Sequence, residues 1–170
     1  MTSSIAVIQT CVPALRRYAS ALLRDRDKAD DLVRDCLVRA LNRLHIGQED
    51  GDIRTWLFAI MHDLLASLPR GVNLRGAVQT PYDKDSVAPS GRADRDDGVS
   101  RQDLMRAIDP LPKDQRSVLL LVAVEDLSYA ETARVLGVPI DIVMSQLSLA
   151  REQVRQSLSD LRTPTLRRFK

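Results

Sequence analysis

Residues 128–139, Ser128-Tyr129-Ala130-Glu131-Thr132-Ala133-Arg134-Val135-Leu136-Gly137-Val138-Pro139, bring a helix start, a helix stop and a second start close together. Ser128 and Glu131 have the spacing of a capping box, in which the serine oxygen accepts from the N–H of the glutamate and the carboxylate returns to the N–H of the serine. A helix is expected to begin there. Gly137, directly after Leu136, supplies the left-handed backbone a tight turn needs. Pro139 suits the opening of a longer helix through Ile142, Val143, Leu147, Ala150 and Val154. Short helix, glycine turn and longer helix make a helix-turn-helix, with Ala133 small at the crossing and Val138 and Val143 filling the wedge. A purely structural hairpin satisfies the same spacing, so spacing alone leaves DNA binding open.

The rest of the chain is also predicted to be helical, because apolar residues recur at three and four rather than two. Ile5, Ile8, Val12, Leu15, Ala19 and Leu22 form one face. Ala29, Leu32, Val33, Cys36, Leu37, Ala40, Leu41 and Leu44 form a second behind Asp27 as N-cap, and the two helices should pack as an antiparallel hairpin. After a loop with Gly47 and Gly51, Asp52 opens a third helix bearing Ile53, Trp56, Leu57, Ile60, Met61, Leu64, Leu65 and Leu68, ended near Pro69. From Pro69 to about Val99 the periodicity vanishes among Gly, Pro, Ser and Asp, as in a flexible linker. Ser100 with Asp103 restarts helix through Leu104, Met105, Ala107 and Ile108. Leu111-Pro112 leads into another with Val118, Leu119, Leu121, Val122 and Val124, the proline suiting its first turn. The expected fold is all-α: a three-helix domain over 1–69, a linker over 70–99, a helix-turn-helix domain over 100–163 and a basic tail over 164–170.

Composition narrows the function classes. The chain has 170 residues, 44% hydrophobic, 28% charged and 4% aromatic, with a net charge of +2. That is enough apolar material for a modest core. No apolar run approaches the roughly 20 residues that cross a bilayer, and MTSSIAVIQTCV carries no basic leader, so the expected location is cytoplasmic without membrane insertion. Cys11 and Cys36 have no His or Cys near at ligand spacing and read as small core residues. There is no glycine-rich phosphate loop, nucleophile elbow or His–carboxylate cluster. The reading is therefore a non-enzyme with no catalytic residue, metal, cofactor or small-molecule substrate. Two mildly basic ends around an acidic centre over 76–100 suit intermittent nucleic-acid contact without establishing it.

Longer motifs carry more information. Leu111-Pro112-Lys113-Asp114-Gln115-Arg116, Leu119-Leu120-Leu121 and Leu127 through Pro139 closely resemble region 4 of extracytoplasmic-function (ECF) bacterial RNA polymerase sigma factors. Leu15-Arg16-Arg17-Tyr18-Ala19, Asp25 to Ala40 and Ile53-Arg54-Thr55-Trp56-Leu57-Phe58-Ala59-Ile60 resemble that family's region 2, in the same order. The resemblance implies that region 2 grips the β′ coiled-coil of core polymerase and melts the −10 element, while region 4 docks on the β flap and reads the −35 element. An anti-sigma protein is the implied regulator.

Position by position, the resemblance assigns polymerase binding to Asp30, Asp31, Leu32, Val33 and Asp35. It assigns −10 DNA to Arg54, Trp56, His62 and Arg70, together with the loop from His45 to Asp52. Packing in the core is the other reading of Trp56. The −35 duplex falls to Ser128, Tyr129, Ser145, Gln146 and Arg151. The sequence also departs from the family. His62 and Asp63 stand where a basic residue and an asparagine are usual. Met144, Gln146 and Leu149 replace cations on the recognition helix, and Asp141 adds a charge of the wrong sign. Fewer phosphate contacts would weaken binding and flatten its salt dependence. Two further readings stay open: a sigma-like mimic or adaptor that binds polymerase or an anti-sigma protein without reading promoters, and a self-standing helix-turn-helix repressor.

Overall fold

The computed structural model describes residues 2–45, 52–68 and 100–162, and every regular element among them is helical. The linker, most of the loop after His45, Arg70 and the basic tail lie outside the described residues. The first half is three helices, α1 (Thr2–Leu23), α2 (Arg26–His45) and α3 (Ile53–Ser67). The second half is α4 (Arg101–Ile108), α5 (Lys113–Leu119) with a π-helical turn at Leu120–Val124, α6 (Tyr129–Leu136) and α7 (Ile140–Arg162).

Local chemistry sets most of the boundaries. Asp52 caps α3, its Oδ2 accepting from the Thr55 N–H and hydroxyl at 3.0 Å each. Ser100 caps α4 by accepting from Asp103 N–H at 3.1 Å. The capping box forms: Ser128 Oγ accepts from Glu131 N–H at 3.2 Å and Glu131 Oε2 accepts from Ser128 N–H at 2.7 Å. Such a cap stabilises a helix by about 1 kcal/mol. Gly137 is left-handed at φ 66°, ψ 33°, and α6 and α7 meet at 101°, within the helix-turn-helix range. Two starts are shifted. Asp25, not Asp27, caps α2, accepting from Lys28 N–H at 3.1 Å, and Asp27 sits inside the first turn. Pro112 is the cap of α5 rather than a first-turn residue.

The first core gathers Ile8, Cys11, Leu15, Tyr18, Ala19 and Leu22 from α1, Ala29, Leu32, Val33, Cys36 and Ala40 from α2, and Trp56, Leu57, Phe58, Ile60, Met61 and Leu65 from α3. Tyr18 and Phe58 meet edge to face at 5.4 Å and 89°, a geometry worth about 0.5–1.5 kcal/mol beyond burial. Both cysteines are buried and unbridged; Cys36 Sγ donates to Leu57 O at 3.5 Å, and burial pushes its thiol up to about 12. Several residues expected inside lie at the stripe's edges and are exposed instead: Ile5 (45%), Leu41 (43%), Leu68, Leu104, Met105, Val124 and Ile142. A second core joins Ile108, Leu111, Val118, Leu119, Ala133, Val143, Leu147 and Ala150 under the helix-turn-helix.

The halves are not independent. Leu120, Leu121, Leu127 and Val135 of the second half belong to the first core, and α6 packs along α3. Val135 faces one core and Ala133 the other, so α6 is shared between them. Arg24 Nη2 reaches Asp109, with its guanidinium 2.7 Å from Oδ1, and adds a polar tie.

Candidate nucleic-acid interface

On α2 the buried face is settled by Ala29, Leu32, Val33 and Cys36, which leaves Asp31, Asp35 and Val38 exposed on the outer face. Leu32 and Val33, assigned to the same partner by sequence position, occupy the inward positions of the helix and lie in the first core, behind the exposed acids. Asp30 pairs with Arg16 at 3.0 Å and Asp31 with Arg34 at 3.2 Å. Such exposed pairs contribute little and are readily exchanged for other partners.

The candidates on α3 divide. Trp56 lies in the first core, the packing reading, and presents no open face for base stacking. His62 is half-buried at the seam between the halves, beside Lys113 and Asp114 of α5 and next to Asp63. Burial and Lys113 hold its pKa below the ordinary value, while Asp63 and Asp114 pull the other way. Arg54, at the start of α3, donates through Nη2 to the carbonyl of Glu125 at 2.6 Å and to Glu125 Oε2 at 3.3 Å, and its guanidinium lies 6.0 Å from the Phe58 ring centroid.

Sequence reading missed Glu125. It is 1% exposed, follows the π-helical turn, and is succeeded by Asp126 in a left-handed conformation (φ 54°) that turns the chain back into Leu127. Arg17 grips it with two parallel bonds, Nε to Oε1 at 2.8 Å and Nη2 to Oε2 at 2.7 Å. The sole sequence signal is a carboxylate closing an apolar run, which says nothing of a partner 108 positions away. Tyr18 and Ser117 meet at the same seam, where burial pushes the Tyr18 phenol up to about 12 against an opposing pull from the Ser117 hydroxyl.

On α7 the buried line Val143, Leu147 and Ala150 fixes which way the helix faces. At about 100° per residue, Asp141, Ser145, Ser148 and Glu152 form the outermost face. Tyr129 and Arg151 come together with Met144 in a shallow hollow of about 210 Å³ that also includes Arg155. Gln146, five residues before Arg151, lies about 140° away on the opposite flank. Met144 (53%) and Leu149 (50%) are the most exposed large apolar residues of this helix. The Ser128 hydroxyl is engaged by Glu131.

Residues 8–62 match the family model described as the Sigma2 domain of PhyR, and residues 101–154 match Sigma-70, region 4. The chain is 30% identical over 147 residues to the ECF RNA polymerase sigma factor EcfG of Rhodopseudomonas palustris, covering 86% of this chain and 80% of that one. This chain belongs to the ECF RNA polymerase sigma factor family. It is also 32% identical over 136 residues to the ECF sigma factor SigC of Mycobacterium tuberculosis, covering 78% and 71% of the two chains. Among solved structures, the sigma factor RpoE of Bartonella quintana, in complex with the anti-sigma factor NepR, superposes with a TM-score of 0.73 at 26% identity over 94% of this chain and 98% of that one. The sigma family reading of both halves, made from motifs, therefore holds, and so does the all-α fold of two helical units. Among the described residues of this sigma factor, no single helix is long and apolar enough to cross a membrane.

Proposed function

We propose that this chain is a transcription initiation factor of the ECF type, a non-enzymatic cytoplasmic subunit that binds core RNA polymerase, directs it to promoter DNA and is held in check by an anti-sigma protein. The observation that carries this is the pair of sigma modules in family order, region 2 over 8–62 and region 4 over 101–154. In this reading the acidic turn of Asp30, Asp31 and Asp35, with Leu32 and Val33 packed behind it and the exposed Val38 one turn further along α2, faces the polymerase β′ coiled-coil. Arg54 and His62, with Arg70, meet the melted −10 strand once the halves part. Tyr129, Ser145, Gln146 and Arg151 meet the −35 duplex, with Ser128 setting the start of α6. The anti-sigma partner is supported by the relative solved with NepR.

Run-off transcription with purified core polymerase over fragmented genomic DNA tests the reading. Discrete transcripts that depend on this protein are expected, together with binding to core. Binding to core without any specific transcript, across several salt concentrations, would overturn the promoter-reading role.

That second outcome describes a mimic, and one observation favours it. The outermost face of α7 presents Asp141 and Glu152 around two serines, and the Arg155 guanidinium is paired with Glu152. Acidic residues facing a phosphate backbone oppose binding. Replacing Met144, Gln146 and Leu149 with basic residues distinguishes the two readings: a mimic gains promoter binding it lacked, whereas a working factor already has it.

A further inference from the structure

Four of the first ten residues of α7, Ile140, Ile142, Met144 and Leu149, are large, apolar and exposed, at 47%, 42%, 53% and 50%. One such residue on a surface needs no reason, but a cluster of them marks a contact. This cluster occupies the leading turns of the second helix of a helix-turn-helix, the part that reaches base edges in the major groove. From Ile140 to Ala150 the helix carries no Lys or Arg, and Arg151 is its first cation. Guanine presents the acceptors O6 and N7, which take the paired donors of Arg or Lys. These turns offer no such donor, and the carboxylates of Asp141 and Glu152 on the outermost face repel acceptors.

What the helix does offer fits the other base pair. Thymine presents a 5-methyl group, which takes an apolar side chain, and adenine presents N6 and N7, which a glutamine amide engages together. Met144 and Leu149 supply the first kind of contact and Gln146 the second. Met144 shares a hollow with Tyr129 and Arg151, so its flank of α7 also carries a cation able to hold a phosphate and fix the helix in the groove. Leu149 lies five residues on, about 7.5 Å along the axis and about 140° round it, on the flank of Gln146. The two apolar side chains therefore enter the groove from opposite sides, about two base pairs apart.

We infer that α7 is directed to A·T pairs, with Met144 and Leu149 reading thymine methyl groups and Gln146 reading adenine. This deepens the proposed −35 role of α7 and rests on it. Without cations on these turns, promoter choice falls to contacts that carry no charge. Discrimination is then independent of salt, whereas overall affinity still depends on it through Arg151 and the phosphates.

The test uses holoenzyme assembled from core polymerase and the full chain, with the promoter duplex recovered by run-off transcription. Each thymine of its −35 element is replaced in turn by deoxyuridine, which removes the methyl and leaves the pairing unchanged. Binding is read by competition against the fluorescein-labelled parent duplex. Deoxyuridine should weaken binding about fourfold, the worth of one buried methyl, at each of two positions roughly two base pairs apart. The factor should be the same at about 50 and 200 mM salt. Met144→Ala should erase the effect at one position and Leu149→Ala at the other, as in a double-mutant cycle. Both side chains lie outside the two cores, so the variants keep the fold, which circular dichroism verifies. Gln146→Ala should leave both methyl effects in place and relax the preference for adenine.

Equal binding of thymine and deoxyuridine duplexes overturns the inference, as does a methyl effect that survives both alanines, or a recovered −35 element without A·T pairs. Alanine variants that weaken core binding while the two duplexes bind alike overturn it too, and make the patch a protein contact. Failure of the underlying reading looks different: core is bound and no fragment is recovered, which removes promoter reading and this inference together. A fragment that is recovered and transcribed, yet indifferent to its methyls, removes the inference alone.

Discussion

Gly137→Ala isolates the backbone contribution of the turn that aims α7. The residue sits at φ 66°, and a Cβ placed on it meets no heavy atom within 4 Å. A clash is therefore absent, and the cost comes from holding an L-residue in the left-handed region, about 1–2 kcal/mol. The alanine variant also has a narrower unfolded ensemble, which offsets part of that cost and leaves about 1 kcal/mol net. An unfolding constant roughly fivefold larger is expected. Urea titration followed by far-ultraviolet circular dichroism measures it, and the midpoint should fall at unchanged slope. Gly137→Asn should cost less, since asparagine tolerates this region, and Gly137→Val more, since its branched Cβ does not. A loss above about 3 kcal/mol for alanine would refute the reasoning, because it would require a steric contact that the turn does not have. No loss at all would refute it too, by showing that the turn has no need of a left-handed residue. The 101° angle between α6 and α7 should survive, so transcription well below the melting temperature should be unaffected.

Other expectations follow from the same geometry. Ser128→Ala should cost about 1 kcal/mol in urea titration at neutral pH. Its hydroxyl and N–H hold the Glu131 carboxyl below the usual range, so this stability is present above the unfolded carboxylate pKa and lost in acid. The gap to the unaltered chain should close as pH falls from about 5 towards 3. His62 is depressed by burial and by Lys113, so the unfolded chain takes its proton first. Stability is present above pH about 6.5 and declines below it, and His62→Gln should flatten the melting temperature between about pH 7.5 and 5.5. Leu121→Ala, at a fully buried site, should cost about 2–5 kcal/mol. Because Leu121 enters the first core from the second half, the transition reported by Trp56 fluorescence should shift with it; an unmoved Trp56 transition would mean the core is not shared.

What the sequence reveals here is local. The Ser128–Glu131 box, the Asp52 and Ser100 caps and the left-handed Gly137 are decided by residues three or four positions apart, and all form as read. The core faces are readable along their centres but not at their margins. Ile5, Leu41 and Ile142 continue a stripe whose edge is set by where the neighbouring helix ends, which periodicity cannot state. The same limit explains Leu32 and Val33: a motif places them beside exposed acids, but the helix turns them inward. Glu125 was out of reach altogether, since an ion pair between residues in different halves is a property of how those halves dock. Of the candidate site, Asp31, Asp35, Tyr129, Ser145 and Arg151 are on the surface, whereas Trp56 is inside and Arg54 is engaged.

The seam between the halves joins apolar contacts to ion pairs, and its hydrocarbon contacts respond to heat in their own way. Burial of Leu120, Leu121, Leu127 and Val135 is driven near room temperature by the entropy of released water, with a negative heat-capacity change. Such contacts weaken on cooling. The apolar share of the seam therefore holds the halves less firmly in the cold than at room temperature, while the ion pairs of Glu125 and Asp109 across it do not follow that trend.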